Sequence, residues 1–225
     1  MTAGDDGTPA APRRSMARSV LGGAGVLAVS GIATRLFGIV SSPVLTRLVG
    51  PAPYGVVALA GTVSSLAATV GLLGVDLAYA RYFFSAEGEG RDAVERFCWR
   101  FATCAGLLVA VLAGAGWAVL RSADGAALPL LVAGGALAAV FLPLATTRQR
   151  LRGLYGRIAA ATVCGGALGV LAAIALAWGW RPDARAMLLG GLAGAAATIG
   201  VVGLPPAETL LRASRLSRAR RGESG

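Results

Sequence analysis

The sequence contains no histidine and no lysine, and the absence of histidine narrows the possible functions. Histidine is the commonest metal ligand and the side chain best suited to proton transfer near neutral pH. Because the sequence also has no phosphate-binding loop, nucleotide fingerprint or zinc-ligand spacing, we expect a protein that is not an enzyme and uses no cofactor or metal. The three cysteines, Cys98, Cys104 and Cys164, lie in or beside apolar stretches, which favours small buried residues over disulfides.

Charged residues are scarce as well, at 14% of the chain, whereas 56% is hydrophobic and the mean hydropathy is +0.69. Apolar runs of about 18 residues or more recur along the sequence, and each is long enough to cross a bilayer. We therefore predict an all-α polytopic membrane protein with six transmembrane helices in one lobe at 19–204. The predicted spans are 20–48, 54–80, 97–120, 128–147, 158–180 and 186–204. Basic cytoplasmic tails are expected at 1–18, which is predicted to be disordered, and at 205–225.

All 21 cationic residues are arginine, and the net charge is +10. A basic chain can bind nucleic acid. In a membrane protein with short loops, however, an excess of arginine marks the cytoplasmic side, and we favour that interpretation over a nucleic-acid partner. With the N-terminus inside, sixteen arginines fall in cytoplasmic segments and four on the other side, which predicts cytoplasmic N- and C-termini in a bacterial cell membrane.

Two further patterns concern the connections and the packing of the spans. Residues 85–96 mix acidic residues with arginines, which predicts a solvated connector before the third span. Gly190 and Gly194 form a small-xxx-small pair, which predicts a close approach of the last span to a neighbouring helix.

The first predicted span contains one charge, Arg35. A charged side chain inside a span costs several kcal/mol and usually faces protein or a water-filled space. Gly31, Arg35, Gly38 and Ser42 recur at helical spacing, so we interpret them as a small and polar stripe that faces a cavity. The alternative is that Arg35 extends to a lipid headgroup or binds a carbonyl for purely structural reasons.

The second predicted span has a polar stripe of its own. It consists of Thr62, Ser65, Thr69 and Asp76, which follow one another at steps of three, four and seven residues. Asp76, at its end, either lies at a portal or pairs with another span, or else simply reaches cytoplasmic water. The candidate substrate-binding residues are Arg35, Ser42, Thr62, Ser65, Thr69 and Asp76.

Four short segments in the first two spans form an ordered pattern: TRLFG at 34–38, LTRLVG at 45–50, PYG at 53–55 and LGVDLAYARY at 73–82. In these segments, residues 19–84 resemble the start of polysaccharide flippases. That family belongs to the exporter superfamily that also includes multidrug extruders and lipid II flippases. The rest of the chain is similar only in hydropathy and span count.

The resemblance implies a fold of two six-helix lobes around a central cavity that opens alternately to each side of the membrane. It also implies a lipid-linked oligosaccharide as cargo, with Arg35 as a contact for the pyrophosphate. Lipid II flippases have a further arginine lower in the first helix, where this sequence has Ser41 and Ser42, so lipid II itself is a weaker expectation. Family members have about twelve to fourteen spans, so the six spans here imply a second lobe, a homo-oligomer or a truncated chain.

Two other functions remain open from the sequence. A cation-coupled multidrug antiporter of the same superfamily would use Asp76 to bind Na⁺ or H⁺, although the spans contain few acidic residues. A non-transporting scaffold for envelope glycan assembly would need none of these polar residues for binding. The membrane lipids are a partner in all three cases.

Overall fold

The computed structural model describes residues 12–85, 89–121, 125–179 and 183–203, and the described residues form seven helices. Six of the seven are long and apolar enough to cross a membrane, which confirms the predicted class and span count; α3 is the short helix. The helices are α1 (Pro12–Val49), α2 (Pro51–Leu72), α3 (Val75–Ser85), α4 (Glu89–Leu120), α5 (Ala127–Leu151), α6 (Tyr155–Gly179) and α7 (Ala184–Val202).

Two of the predicted segments differ from the helices at their ends. The structure extends α1 back to Pro12, so residues 12–18 of the expected disordered tail are helical. Helix α4 begins at Glu89, so most of the connector predicted at 85–96 is the first part of a long helix. Residues 1–11 and the predicted C-terminal tail at 205–225 lie outside the described residues.

A single residue, Gly50, joins α1 to α2. Its φ of 86° is a conformation that glycine adopts without strain, and its N–H donates to the Thr46 carbonyl at 2.9 Å. Pro51 begins α2, where the missing N–H of proline has no helical partner to lose. The first two spans are therefore joined by one residue, and they contact each other beside it, where the hydroxyls of Ser42 and Tyr54 lie 3.0 Å apart.

The second predicted span, at 54–80, is two helices rather than one. Leu73 and Gly74 both have positive φ, 43° and 77°, and this left-handed pair ends α2 and lets α3 begin at Val75. The Leu73 N–H donates to the Thr69 carbonyl, which closes the last turn of α2. The predicted stripe from Thr62 to Asp76 is therefore interrupted, because Asp76 belongs to a different helix from the three hydroxyl residues.

Helix α5 is the centre of the lobe and packs against α2, α3, α4 and α7. Its side chains Val132, Val140 and Leu144 are among the largest fully buried ones in the described chain. Gly71 of α2 leaves room for Val140, since a Cβ at Gly71 would lie 2.7 Å from a Val140 methyl group. Small residues thus allow the neighbouring helix to approach α5 closely.

Helices α6 and α7 have the most extensive contact of any two helices in the described chain. A Cβ on Gly194 would lie 2.6 Å from the carbonyl oxygen of Gly165, and a Cβ on Gly190 would lie 2.6 Å from the backbone nitrogen of Ala173. These distances are too short for any side chain, so glycine is required for the contact. The predicted close packing at Gly190 and Gly194 is confirmed.

Candidate functional site

One face of α1 forms a groove of about 890 Å³ together with the start of α2. Arg35, Gly38 and Ser42 line it, so three of the four residues on the predicted stripe share one surface. The hydroxyls of Ser42 and Tyr54 lie 3.0 Å apart, and this hydrogen bond ties the two helices at the groove. Helical periodicity alone was sufficient to group these α1 residues.

The groove has a positive electrostatic character. Arg35 and Arg47 both line it, and its described lining includes no acidic side chain. The surrounding surface of α1 is not packed within the lobe, since Leu36 and Ile39 are 55% and 68% exposed. Two guanidinium groups on a surface with no described acidic side chain favour a ligand with phosphate or carboxylate oxygens. Arg47 was not among the predicted site residues, because a residue twelve positions after Arg35 lies about 120° further around a regular helix and the spacing gave no signal.

The four remaining candidates lie outside this groove. Thr62, Ser65 and Thr69 are exposed on α2, and each hydroxyl donates to the carbonyl four residues earlier, at 3.1, 2.9 and 3.0 Å respectively. Asp76 is half-buried in the first turn of α3, where its charge is favourable next to the helix N-terminus. The structure therefore groups Arg35 with Ser42 and does not bring the other four to them; a role for those four in binding stays a prediction.

A second space lies on the other side of α1, between α1, α5, α6 and α7, and its volume is about 740 Å³. Thr34, the residue next to Arg35, lines this space rather than the groove. Gly31, the fourth residue of the predicted stripe, also lines it. Helix α1 therefore separates two compartments, which we call the α1 groove and the inner cavity.

A buried charge cluster, which sequence analysis missed, joins α3, α4 and α5. Nε of Arg148 lies 2.6 Å from Oε1 of Glu95, and an Arg152 nitrogen lies 3.7 Å from the other carboxylate oxygen. Tyr79 is fully buried beside them, outside the six spans, and its pKa is raised above the usual range, first by burial and then by the negative charge of Glu95. The phenol therefore stays protonated in any ordinary buffer.

The position of Glu95 corrects the prediction of a solvated connector at 85–96. Glu95, Cys98, Trp99 and Ala102 are all buried, at steps of three, four and seven residues. That spacing is the signal of a helix face packed in the interior. The predicted third span began at residue 97 and therefore left out Glu95. A helix that begins earlier would have Glu95 on the same buried face as Cys98 and Trp99.

Sequence comparison assigns most of the chain to one family. Residues 20–204 match the family described as "Polysaccharide biosynthesis protein", a segment that includes all six spans. Neither the curated proteins nor the solved structures contain a significant match.

Proposed function

Because this chain belongs to the polysaccharide biosynthesis protein family, we propose that it moves a lipid-linked oligosaccharide or polysaccharide precursor across the cell membrane. The proposed role is that of a flippase lobe: the cargo changes sides, and no covalent bond in it is made or broken. This role requires a binding surface for the phosphate that joins the lipid to the sugar, within reach of both sides of the bilayer.

The observation that supports this proposal is the α1 groove, with Arg35 and Arg47 on its wall. Guanidinium groups bind phosphate oxygens through paired, charge-assisted hydrogen bonds. The two residues are twelve positions apart, which is about 18 Å along a helix, so a phosphate group could be passed from one towards the other along α1. The Ser42 hydroxyl lies between them in sequence, and together with the Tyr54 hydroxyl, its hydrogen-bond partner, it offers hydrogen bonds to sugar or phosphate.

The proposal includes a partner, because the α1 groove is open on one side. Transporters built from repeats place their binding site between two such units. We expect a second six-helix lobe to face α1 and close the groove, whichever polypeptide supplies it. Contact with that lobe would also cover the exposed apolar side chains of α1, such as Leu36 and Val40.

The test is glycan export in the source organism after deletion of the gene and complementation with variants of the full chain. Arg35→Ala should reduce export at least tenfold, since one charge-assisted contact to phosphate is worth about 1.5–3 kcal/mol. Arg35→Lys should retain part of the activity, because the charge is kept and the paired geometry is lost.

Arg100→Ala is the matched control, because it also removes one arginine that is exposed, but from α4 and away from the groove. Its export should equal that of the natural chain. Membrane levels of each variant are measured in parallel. Normal export by Arg35→Ala at normal protein level would refute the assignment of the α1 groove.

A further inference from the structure

The inner cavity is long and follows the helix axes. Leu27 and Leu45 both line it, and eighteen residues of α1 correspond to about 27 Å, close to the thickness of the hydrocarbon core. A volume of about 740 Å³ over this length makes the cavity narrow. At one end, Leu45, Ala173 and Met187 are buried in a common cluster that closes it. Such a shape suits an extended hydrocarbon chain better than a compact sugar.

The walls of the inner cavity are chemically apolar in spite of several hydroxyls. Ser30, Thr34, Thr146 and Thr162 each donate to a carbonyl of their own helix, at 2.9, 2.9, 2.9 and 2.8 Å, so their hydrogens are already engaged. Thr198 likewise donates to the carbonyl of Gly194 at 2.8 Å. The remaining lining is dominated by glycine, alanine and aliphatic residues.

Among the described residues that line the inner cavity, one is charged: Arg150, in the last turn of α5. It lies at the end opposite to the Leu45 cluster, near Ile158 of α6. The cavity thus combines an apolar length with a cationic end, which is the complement of an anionic head joined to a single hydrocarbon chain.

We propose that the inner cavity binds the hydrocarbon chain of the lipid-linked cargo, with the phosphate next to that chain on Arg150. This inference rests on the proposed function for the identity of the cargo, but it assigns a site that is separate from the α1 groove. The cargo phosphate contacts Arg150 and the arginines of the α1 groove at different steps of transport, because the two sites lie on opposite sides of α1. A two-chain phospholipid of the bilayer fits a narrow cavity with one cation less well than a polyprenyl phosphate does.

The glycines of α7 supply a matched pair of variants. Gly191 lines the inner cavity, and a Cβ there would meet no atom within 4 Å, so a large side chain fits at this point of the cavity wall without displacing the backbone. Gly200 is equally open, on the same helix, and is not part of the lining. Gly191→Trp should therefore block the cavity, whereas Gly200→Trp should not.

The experiment uses the full chain in phosphatidylcholine nanodiscs and two photoreactive probes. One probe is geranylgeranyl phosphate with a diazirine at the end remote from the phosphate, and the other is the corresponding neutral alcohol. After irradiation, the labelled peptides are identified by mass spectrometry. The phosphate probe should label the closed end of the cavity around Ala173 and Met187, and an excess of phosphatidylglycerol should not displace it.

Arg150→Ala should reduce labelling by the phosphate probe about tenfold and leave labelling by the alcohol unchanged, because one charge-assisted contact is lost. Gly191→Trp should abolish labelling by both probes, and Gly200→Trp should preserve it. Labels confined to outer surfaces such as Leu66 and Leu108, equal labelling in Arg150→Ala, or displacement by phosphatidylglycerol would each overturn the assignment. Since labelling requires no transport, normal export by Arg35→Ala would refute the proposed function without affecting this result.

Discussion

Nε of Arg148 lies 2.6 Å from Oε1 of Glu95, and each of the two side chains has less than a tenth of its surface exposed. The two atoms are in contact as an ion pair but are not aligned as a hydrogen bond. Removal of one partner from a buried pair leaves an uncompensated charge, which is far more costly than removal of both. The pair therefore fixes α4 against α5 at the end of the lobe where α3 also packs.

We expect Glu95→Gln to lower the free energy of unfolding by about 3–5 kcal/mol, because Arg148 is left charged and buried. Arg148→Met should be less destabilising, because Arg152 still lies 3.7 Å from Glu95. The double variant should recover part of the loss. Unfolding of the purified protein in detergent, by heat or by sodium dodecyl sulfate, measures each difference.

Asp92→Asn, an exposed position on the same helix, serves as the control and should change stability by less than about 0.5 kcal/mol. Equal stability of Glu95→Gln and Asp92→Asn would show that the pair does not hold the two helices.

A second prediction concerns the contact between α6 and α7. Gly194→Ala should destabilise the protein by about 1–3 kcal/mol, because the new methyl group would lie 2.6 Å from the Gly165 carbonyl and would force the helices apart. Gly191→Ala should be neutral or stabilising by up to about 1 kcal/mol, because its methyl group enters open space and alanine favours the helix. Thermal unfolding in detergent compares the two variants. The same midpoint for both would contradict the close packing.

The left-handed pair that ends α2 provides a third prediction. Leu73 has a φ of 43° and is 71% exposed, so it is strained and makes little contact within the lobe. Leu73→Gly should raise the free energy of unfolding by about 1 kcal/mol, since glycine adopts this conformation freely. Gly74→Ala should lower it by a similar amount, because the φ of 77° disfavours any side chain. Changes of the same sign in the two variants would rule out the helix break as described.

The orientation proposed from the arginine count can be tested by reporter fusions. Alkaline phosphatase, which is active outside the cytoplasm, should be active when fused after Gly125, in the connection between α4 and α5. The same enzyme fused after Gly153, between α5 and α6, should be inactive. A fluorescent protein at the C-terminus should mature and fluoresce. The reversed pattern would place both termini outside.

The number of the spans could be predicted because hydropathy reports directly on the solvent around a helix. The α6–α7 contact was visible for a similar reason: Gly190 and Gly194 follow each other at one helical turn, and only glycine permits such an approach. Each of these signals lies within a short stretch of sequence. The break after α2 had a local signal too, since Gly74 marks it, but the left-handed conformation of Leu73 did not follow from its residue type.

The charge cluster could not be predicted in the same way. Glu95 and Arg148 belong to different helices, and which faces of α4 and α5 meet is decided by packing rather than by local pattern. The six candidate site residues lie in different places for the same reason. Arg35 and Ser42 share a groove because one continuous helix places them there, whereas the stripe at Thr62 lies on a face of α2 set by its contact with α5. Periodicity groups residues that lie on one face of a helix, but it does not predict which neighbouring helix or space that face contacts.

Helix α1 has Thr34 in the wall of the inner cavity and Arg35 in the wall of the α1 groove. Successive residues of a helix point about 100° apart, so neither side chain can be reoriented without the other. A rotation of α1 that turns Arg35 further into the groove withdraws Thr34 from the cavity, and the reverse rotation does the opposite. If α1 turns as a unit, the two compartments must change together, because adjacent residues of one helix line both of them.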